Sequence, residues 1–277
     1  MAEAALPVSA THVVVGGGVH GLSVASALAR RLARNGSRSE VVLIERSKLG
    51  SGASGIAGGI VRCYYRSPAI TEIVRLSVER FERSPEAFGF RQVGFLAVVP
   101  DHQVEDLRAI ADRQAEVGYA SELVTGNDPC AEYLTWLWPD FDARGVEAVL
   151  HERRSGWADA SATLRELARE ARDAGVTIVE ETPVVDLENS GRSVSAVLTS
   201  RGVIRCEHVV FACGAWARDV WAMLGRAFDV TIGDTSPPLV DLVKDGQRLE
   251  VAIGEGTTGA TVAPFPLYDT EKRRPRS

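Results

Sequence analysis

Two apolar rhythms alternate at the start of the chain. Val13, Val14 and Val15 form a continuous run that breaks at Gly16, and Leu22, Ala25, Leu28, Ala29 and Leu32 then recur at helical spacing until Asn35-Gly36. Val41-Val42-Leu43-Ile44 is continuous again, the pattern of a parallel strand buried on both faces. Strand, helix and strand in this order predict a βαβ unit and an α/β fold class. Further along, Ser67 stands as a potential cap before Pro68 at a first helical position, predicting a helix to about Arg83 that Pro85 stops.

Phe95–Val99 reads as a strand, Glu105–Gly118 as an exposed helix, Tyr133–Phe141 as an aromatic-rich connection and Val146–Leu150 as a short strand. A second unit therefore occupies the middle of the chain. Asp159–Ala174 is an amphipathic helix with Leu164, Leu167 and Ala171 on one side, ended by Gly175. Strands follow at Val176–Val179, Pro183–Leu187, Val194–Leu198 and Val203–Arg205, with turns at Asn189-Ser190-Gly191 and Ser200-Arg201-Gly202. The set closes on the apolar run from His208 to Ala212, which breaks at Gly214 before a further helix.

The break after Val15 carries the chemistry. Gly16, Gly18 and Gly21 fit Gly-x-Gly-x-x-Gly between a strand and a helix: a tight turn, a backbone open to phosphates and close helix packing, with unpaired amides at the helix start to meet an anion. Glu45, at the end of the next strand, is placed to accept hydrogen bonds from adenosine ribose hydroxyls. Arg46 beside it leaves NADP open as well. The small-residue loop Gly50–Gly59 suits either a flexible linker or backbone packed against a cofactor; its position directly after Glu45 favours the second. The glycine after Cys213 suits a second cofactor approach or an ordinary strand-to-helix turn.

Composition narrows the partners. The chain has 277 residues, 45% hydrophobic and 25% charged, enough for one large or two modest domains. A net charge of −6, with Arg interspersed among Glu and Asp, gives no reason to expect nucleic acid or an anionic membrane. Cys63, Cys130, Cys206 and Cys213 form no metal-type pair or disulfide framework and read as small buried residues in a reducing compartment. No metal is expected. With neither a secretory pattern at the start nor an apolar stretch of membrane-spanning length, the expected location is the cytoplasm.

Taken in order, Val-Val-Val-Gly-Gly-Gly-Val-His-Gly, Leu-Ile-Glu-Arg, the loop through Ile60-Val61-Arg62, Thr-Pro-Val-Val and Val-Val-Phe-Ala-Cys-Gly-Ala-Trp resemble the FAD-dependent D-amino-acid oxidase superfamily, in its sarcosine oxidase and glycine oxidase branch. The resemblance covers roughly Thr11 to Leu224. It implies a Rossmann-like FAD-binding domain, residues 1–88 and 146–224, with a second, mainly antiparallel-sheet substrate domain, residues 89–145 and 225–268, that is incomplete. It also implies FAD bound by Gly16, Gly18 and Gly21 with Val19 and His20 beside them, by Glu45 and Arg46, by Ser51, Ser54, Gly58 and Gly59 of the loop, by Val184, and by Ala212, Gly214 and Trp216. The side chain of His20 is incidental to that role.

Arg62 matches the branch's Arg that holds a substrate carboxylate, a task suited to a bidentate guanidinium; a loop-bracing or surface-covering Arg is the alternative. Tyr65 falls where the branch can place an active-site Tyr, or is a packing aromatic. Dimethylglycine-type relatives can attach flavin through a His in the loop; Ile56-Ala57 stand there, so that attachment is not expected.

The implied reaction oxidises the C–N bond of a small amine, amino acid or N-alkyl amino acid to an imine, because side chains provide no hydride acceptor and a flavin does. Oxygen or another acceptor would reoxidise the flavin. After Leu224 the family pattern is lost, so the chain reads as shortened at its C-terminal end. Asp269–Ser277 reads as a disordered tail, Thr231–Pro237 only faintly resembles a flavin-monooxygenase motif, and neither Lys244 nor any other residue is identified as a catalytic base. Two alternatives stand beside the oxidase: a truncated or split-subunit FAD-binding module completed by a second subunit, and an NADP-dependent dehydrogenase.

Overall fold

The structure, a computed structural model, describes residues 5–36, 40–189, 193–225, 248–253 and 256–261. The 269–277 tail, the 231–237 motif, Lys244, and Ser190 and Gly191 of one expected turn lie outside them. In chain order the elements are β1 Ser9–Val15, α1 Val19–Arg34, β2 Val41–Ile44, α2 Ala53–Ile56, β3 Ile60–Val61, α3 Pro68–Arg83, α4 Pro85–Phe88, β4 Phe90–Arg91, β5 Phe95–Val99 and α5 Val104–Glu116. There follow β6 Glu122–Thr125, α6 Asn127–Leu137, β7 Ala148–Glu152, β8 Gly156–Ala158, α7 Ala160–Asp173, β9 Thr177–Val179, β10 Val184–Asn189, β11 Val194–Thr199, β12 Gly202–Phe211 and α8 Ala217–Met223. Residues 1–226 form one compact unit. In the other, residues 227–277, β13 Arg248–Ile253 and β14 Gly256–Thr261 pair antiparallel.

A six-stranded sheet in the order β10-β11-β12-β1-β2-β9 is the frame of the first unit. β1 runs parallel to β12 and to β2, with Val13 opposite both Val209 and Val42. The apolar runs of β1 and β2 are continuous because both faces are covered, and their side chains divide with period two. Val14, Val41 and Leu43 pack with Leu22, Ala25 and Ala29 of α1 and Leu164, Leu167 and Ala171 of α7. Val13, Val15, Val42 and Ile44 pack instead with Leu187, Val197 and Ile204 of β10, β11 and β12. The antiparallel strands therefore cover the face that the helices leave open. Each aliphatic side chain so buried contributes about 1.5–3 kcal/mol.

The helix ends follow from local chemistry. Asp159 caps α7, accepting from the Ala162 amide at 2.6 Å, and Gly175 takes a left-handed φ of +88° just past its end. Glu170 of α7 receives Arg80 of α3 and, at 3.6 Å, Arg30 of α1, joining three helices at one largely buried carboxylate. Ser67 stands at the N-cap of α3 without a capping side-chain bond; its carbonyl instead accepts from the Thr71 hydroxyl at 3.0 Å.

Two small antiparallel sheets, β3-β8-β4 and β5-β7-β6, build the middle of the chain. Every residue of β7 is buried. Leu107 and Ile110 of α5 pack with Ala148 and Leu150, while Cys130 and Leu134 of α6 pack with Val149. The expected aromatic connection at Tyr133–Phe141 is thus corrected: Tyr133–Leu137 is the second half of α6, held because Cys130 and Leu134, four apart, bury one stripe and leave Trp136 exposed. The strand expected at Val146–Leu150 runs Ala148–Glu152, because His151 and Glu152 are buried with polar partners that a hydrophobic pattern cannot register. The short Val203–Arg205 strand likewise continues through His208 to Phe211 as one ten-residue β12.

A polar cluster closes the rim of β6 and β7. Arg153 donates twice to Glu122, at 2.7 and 2.9 Å, and the Tyr133 hydroxyl lies 2.6 Å from Glu122 Oε2 and 2.7 Å from His151 Nδ1. Arg153, and then Tyr133, hold the Glu122 carboxyl down from 4.5 to about 2. A lowered carboxyl pKa contributes stability above the unfolded value that is lost as pH falls through the folded one. Glu122→Gln is therefore expected to lower the urea midpoint at pH 7, and its deficit against the parent should close between about pH 4.5 and 2. A deficit independent of pH would show that Glu122 acts only through packing.

Candidate cofactor-binding site

The turn after β1 is crowded on three sides. Gly16 has a φ of +114°, and any Cβ there would overlap the Ala212 carbonyl just beyond β12. A Cβ on Gly21 would overlap the carbonyl of Gly16, so α1 reaches the strand only through glycine. Gly18 stands at the N-cap of α1 with no side chain to satisfy the first amides. Its missing Cβ would lie 2.9 Å from Ser54 Oγ, which accepts from the Val19 amide at 3.1 Å. Val19 is partly buried and His20 is exposed, its ring absent from any described hydrogen bond.

Glu45 closes the second side. Its carboxylate accepts from the Gly17 amide at 2.7 Å and the Ser47 amide at 3.0 Å, and its carbonyl from the Thr182 amide at 2.8 Å. Two amide bonds leave a carboxylate further acceptor positions. Val184 begins β10 two residues beyond Thr182, which draws it toward this strand end. The loop between Ser47 and Gly59 folds back over the turn: the Gly50 amide donates to the Gly17 carbonyl at 3.1 Å and the Leu49 amide to Glu180 at 2.7 Å.

Loop residues serve unequal purposes. Ser51 is spent within its own turn, donating to the Lys48 carbonyl at 2.6 Å and accepting from the Lys48 amide. Gly59 lies against the Ala158 carbonyl of β8 with no room for a Cβ, whereas Gly58 faces open space. On the third side, Gly214 has a φ of +55° and Trp216 lies beneath Arg46, whose guanidinium carbon is 3.8 Å from the indole centroid. Gly52 of the loop packs on the same indole. Gly16, Gly18, Gly21, Glu45, Ser54 and Ala212 are therefore brought together at the carboxyl ends of β1, β2 and β12.

Beyond the loop, Arg62 is half-buried with its guanidinium carbon 5.0 Å from the Phe95 ring and 5.7 Å from the Tyr64 ring. No carboxylate pairs with it among the described residues. Tyr65 is exposed. Sequence reading missed Gly17, whose amide fixes Glu45, and Glu180, which holds the loop at Leu49; neither is marked by any motif, because both act through single bonds made after the chain folds.

Residues 11–237 match the family described as FAD dependent oxidoreductase. The chain belongs to that family. FAD, which the family requires, takes precedence over the NADP alternative left open by Arg46. Among relatives, 229 aligned residues are 29% identical to 4-methylaminobutanoate oxidase (formaldehyde-forming) of Paenarthrobacter nicotinovorans, covering 79% of this chain and 26% of that protein. Sarcosine oxidase subunit beta of Rhizobium meliloti is 29% identical over 220 residues, 77% of this chain and 51% of the relative. Among solved structures, L-proline dehydrogenase from P. horikoshii superposes with a TM-score of 0.71 at 28% identity, over 82% of this chain and 58% of that one. The chain thus spans about a quarter to three fifths of the curated relatives it matches. No helix among the described residues is long and apolar enough to cross a membrane.

The crowding at the turn is testable without any ligand. Gly21→Ala is expected to destabilise the apo chain by about 2 kcal/mol or more, because the new carbon meets backbone. Gly58→Ala should stay within about 0.5 kcal/mol, since it meets open space. Equal denaturation midpoints for the two variants would contradict the packing just described.

Proposed function

We propose that this chain binds FAD across the ends of β1, β2 and β12 and serves an oxidoreductase that oxidises the C–N bond of an amine, amino acid or N-alkyl amino acid. Bound FAD supplies the hydride acceptor that side chains lack. The chain's part is binding and orientation. The start of α1, where Ser54 takes only the Val19 amide, faces the pyrophosphate, with Gly16 and Gly18 permitting the approach. Glu45, with acceptor positions left beyond Gly17 and Ser47, takes the ribose hydroxyls. Ser54, Gly58, Val184 and Gly214 line the path, and Trp216 holds Arg46 beside it.

Arg62 carries the substrate reading. A half-buried guanidinium on two aromatic rings, without a described carboxylate partner, is weakly hydrated and ready for a bidentate carboxylate. This supports an amino acid over a simple amine. The match to half of a sarcosine oxidase beta subunit also supports a second reading, in which this FAD-binding portion is completed by another subunit. A reducing compartment such as the cytoplasm suits the four free cysteines.

Chain reconstituted with FAD is expected to retain a flavin absorption spectrum and to perturb it on titration with sarcosine. Arg62→Ala should keep the flavin and weaken sarcosine binding roughly 10- to 100-fold, the range for losing charged hydrogen bonds, while leaving dimethylamine, which lacks the carboxylate, unaffected. Failure to take up FAD would sink the cofactor reading, and equal sarcosine affinity in the variant would sink the role of Arg62.

A further inference from the structure

Outside the cofactor turn, the carboxylate of Glu152 is fully buried at the end of β7. It accepts from the Cys63 amide at 2.7 Å, from Gln114 Nε2 of α5 at 2.6 Å and from Ser155 Oγ at 2.6 Å. The Tyr119 hydroxyl backs Ser155 at 2.9 Å. No cation lies within ion-pair distance of it among the described residues. Gln114 Nε2 also donates to the Cys63 carbonyl at 3.0 Å, beside the Tyr65 amide at 3.0 Å, so this pair of side chains bonds both backbone polar groups of Cys63.

Cys63 directly follows Arg62. The other end of Arg62 refers to the same strand end, because its guanidinium lies over Phe95, and Phe95 pairs with Glu152 across β5 and β7. The Gln114 amide is fixed in one orientation: reversed, its oxygen would face both the Cys63 carbonyl and the carboxylate. That leaves Gln114 Oε1 buried without a partner, a cost accepted to keep both donors on the clamp. From this geometry we infer that Glu152 and Gln114 are positioning residues for Arg62, fixing its backbone so that the guanidinium stays over Phe95 and Tyr64 and open to a substrate carboxylate. The substrate half of this inference rests on the function proposed above.

Electrostatics supports the arrangement. Burial pushes the Glu152 carboxyl upward, while the bonds from Ser155, Cys63 and Gln114 and then the charge of Arg62 oppose that shift. Glu152 thus feels the charge of Arg62 through space without being paired to it.

The test uses the full chain carrying Glu152→Gln or Gln114→Met, beside Arg62→Ala. Order at the Arg62 side chain is read from its Nε–H resonance by NMR relaxation, and sarcosine affinity from the spectrum of the FAD-loaded protein. Both positioning variants are expected to lower the Arg62 order parameter and weaken sarcosine binding on the order of tenfold, with FAD affinity within about twofold of the parent. In the Arg62→Ala background Glu152→Gln should cost no further sarcosine affinity, as coupled residues require and an independent structural defect would not. Unchanged Arg62 order in both variants would overturn the inference, and Gln114→Met decides it if Glu152→Gln fails to fold. If Arg62→Ala binds sarcosine normally while Arg62 order still depends on Glu152, the substrate reading fails and the positioning of the side chain stands.

Discussion

Close approach of backbone to backbone at the end of β1 governs the arrangement of the site. Gly16 lies against the Ala212 carbonyl and Gly21 against the carbonyl of Gly16, so strand, helix and the end of β12 meet with no side chain between them. Such proximity is what lets the first amides of α1 stand beside Glu45 and the folded-back loop. A methyl group at either glycine would separate these pieces before any ligand was considered. The anion-binding role proposed for the turn therefore rests on packing as much as on electrostatics.

Packing of this kind needs a rigid support, and the sheet supplies it by burying both faces. The helices α1 and α7 take the side of Val14 and Leu43, and the antiparallel strands take the side of Val13, Val15 and Ile44. β12 serves both arrangements, pairing parallel with β1 and antiparallel with β11. Its length is the reason that the cover over one face and the turn at Ala212 are parts of a single element.

Much of this was legible in the sequence because it rests on local rules. Continuous apolar runs marked β1 and β2, period-3.6 spacing marked α1 and α7, and the glycine positions marked the turn. Elements held by polar or single-residue partners were harder to read. The second half of α6 is specified by the buried Cys130 and Leu134 while Trp136 stays exposed, and an aromatic-rich stretch hides so narrow a stripe. β7 ends in His151 and Glu152, which a hydrophobic pattern excludes from a buried strand unless their partners, Tyr133, Gln114 and Ser155, are already known. The loop shows the same limit: its composition indicated close backbone approach, but only the fold separates Gly58, open to space, from Gly59, pressed on Ala158.

The placement of charge around Arg62 is what the carboxylate-binding role proposed for it requires. A buried carboxylate in direct contact with the guanidinium would satisfy it internally, and an incoming carboxylate would then have to displace a partner already desolvated. Here the nearest buried carboxylate, Glu152, is satisfied by neutral donors from Cys63, Gln114 and Ser155. Aromatic faces at Phe95 and Tyr64 supply a weaker, non-directional attraction for the cation. The charge of Arg62 still acts on Glu152 through space and favours its carboxylate form, yet the forked donors of Arg62 remain unspent among the described residues. Neutral donors on the anion and aromatic faces on the cation thus satisfy the two charges separately, which is the condition the proposed carboxylate-binding role of Arg62 sets.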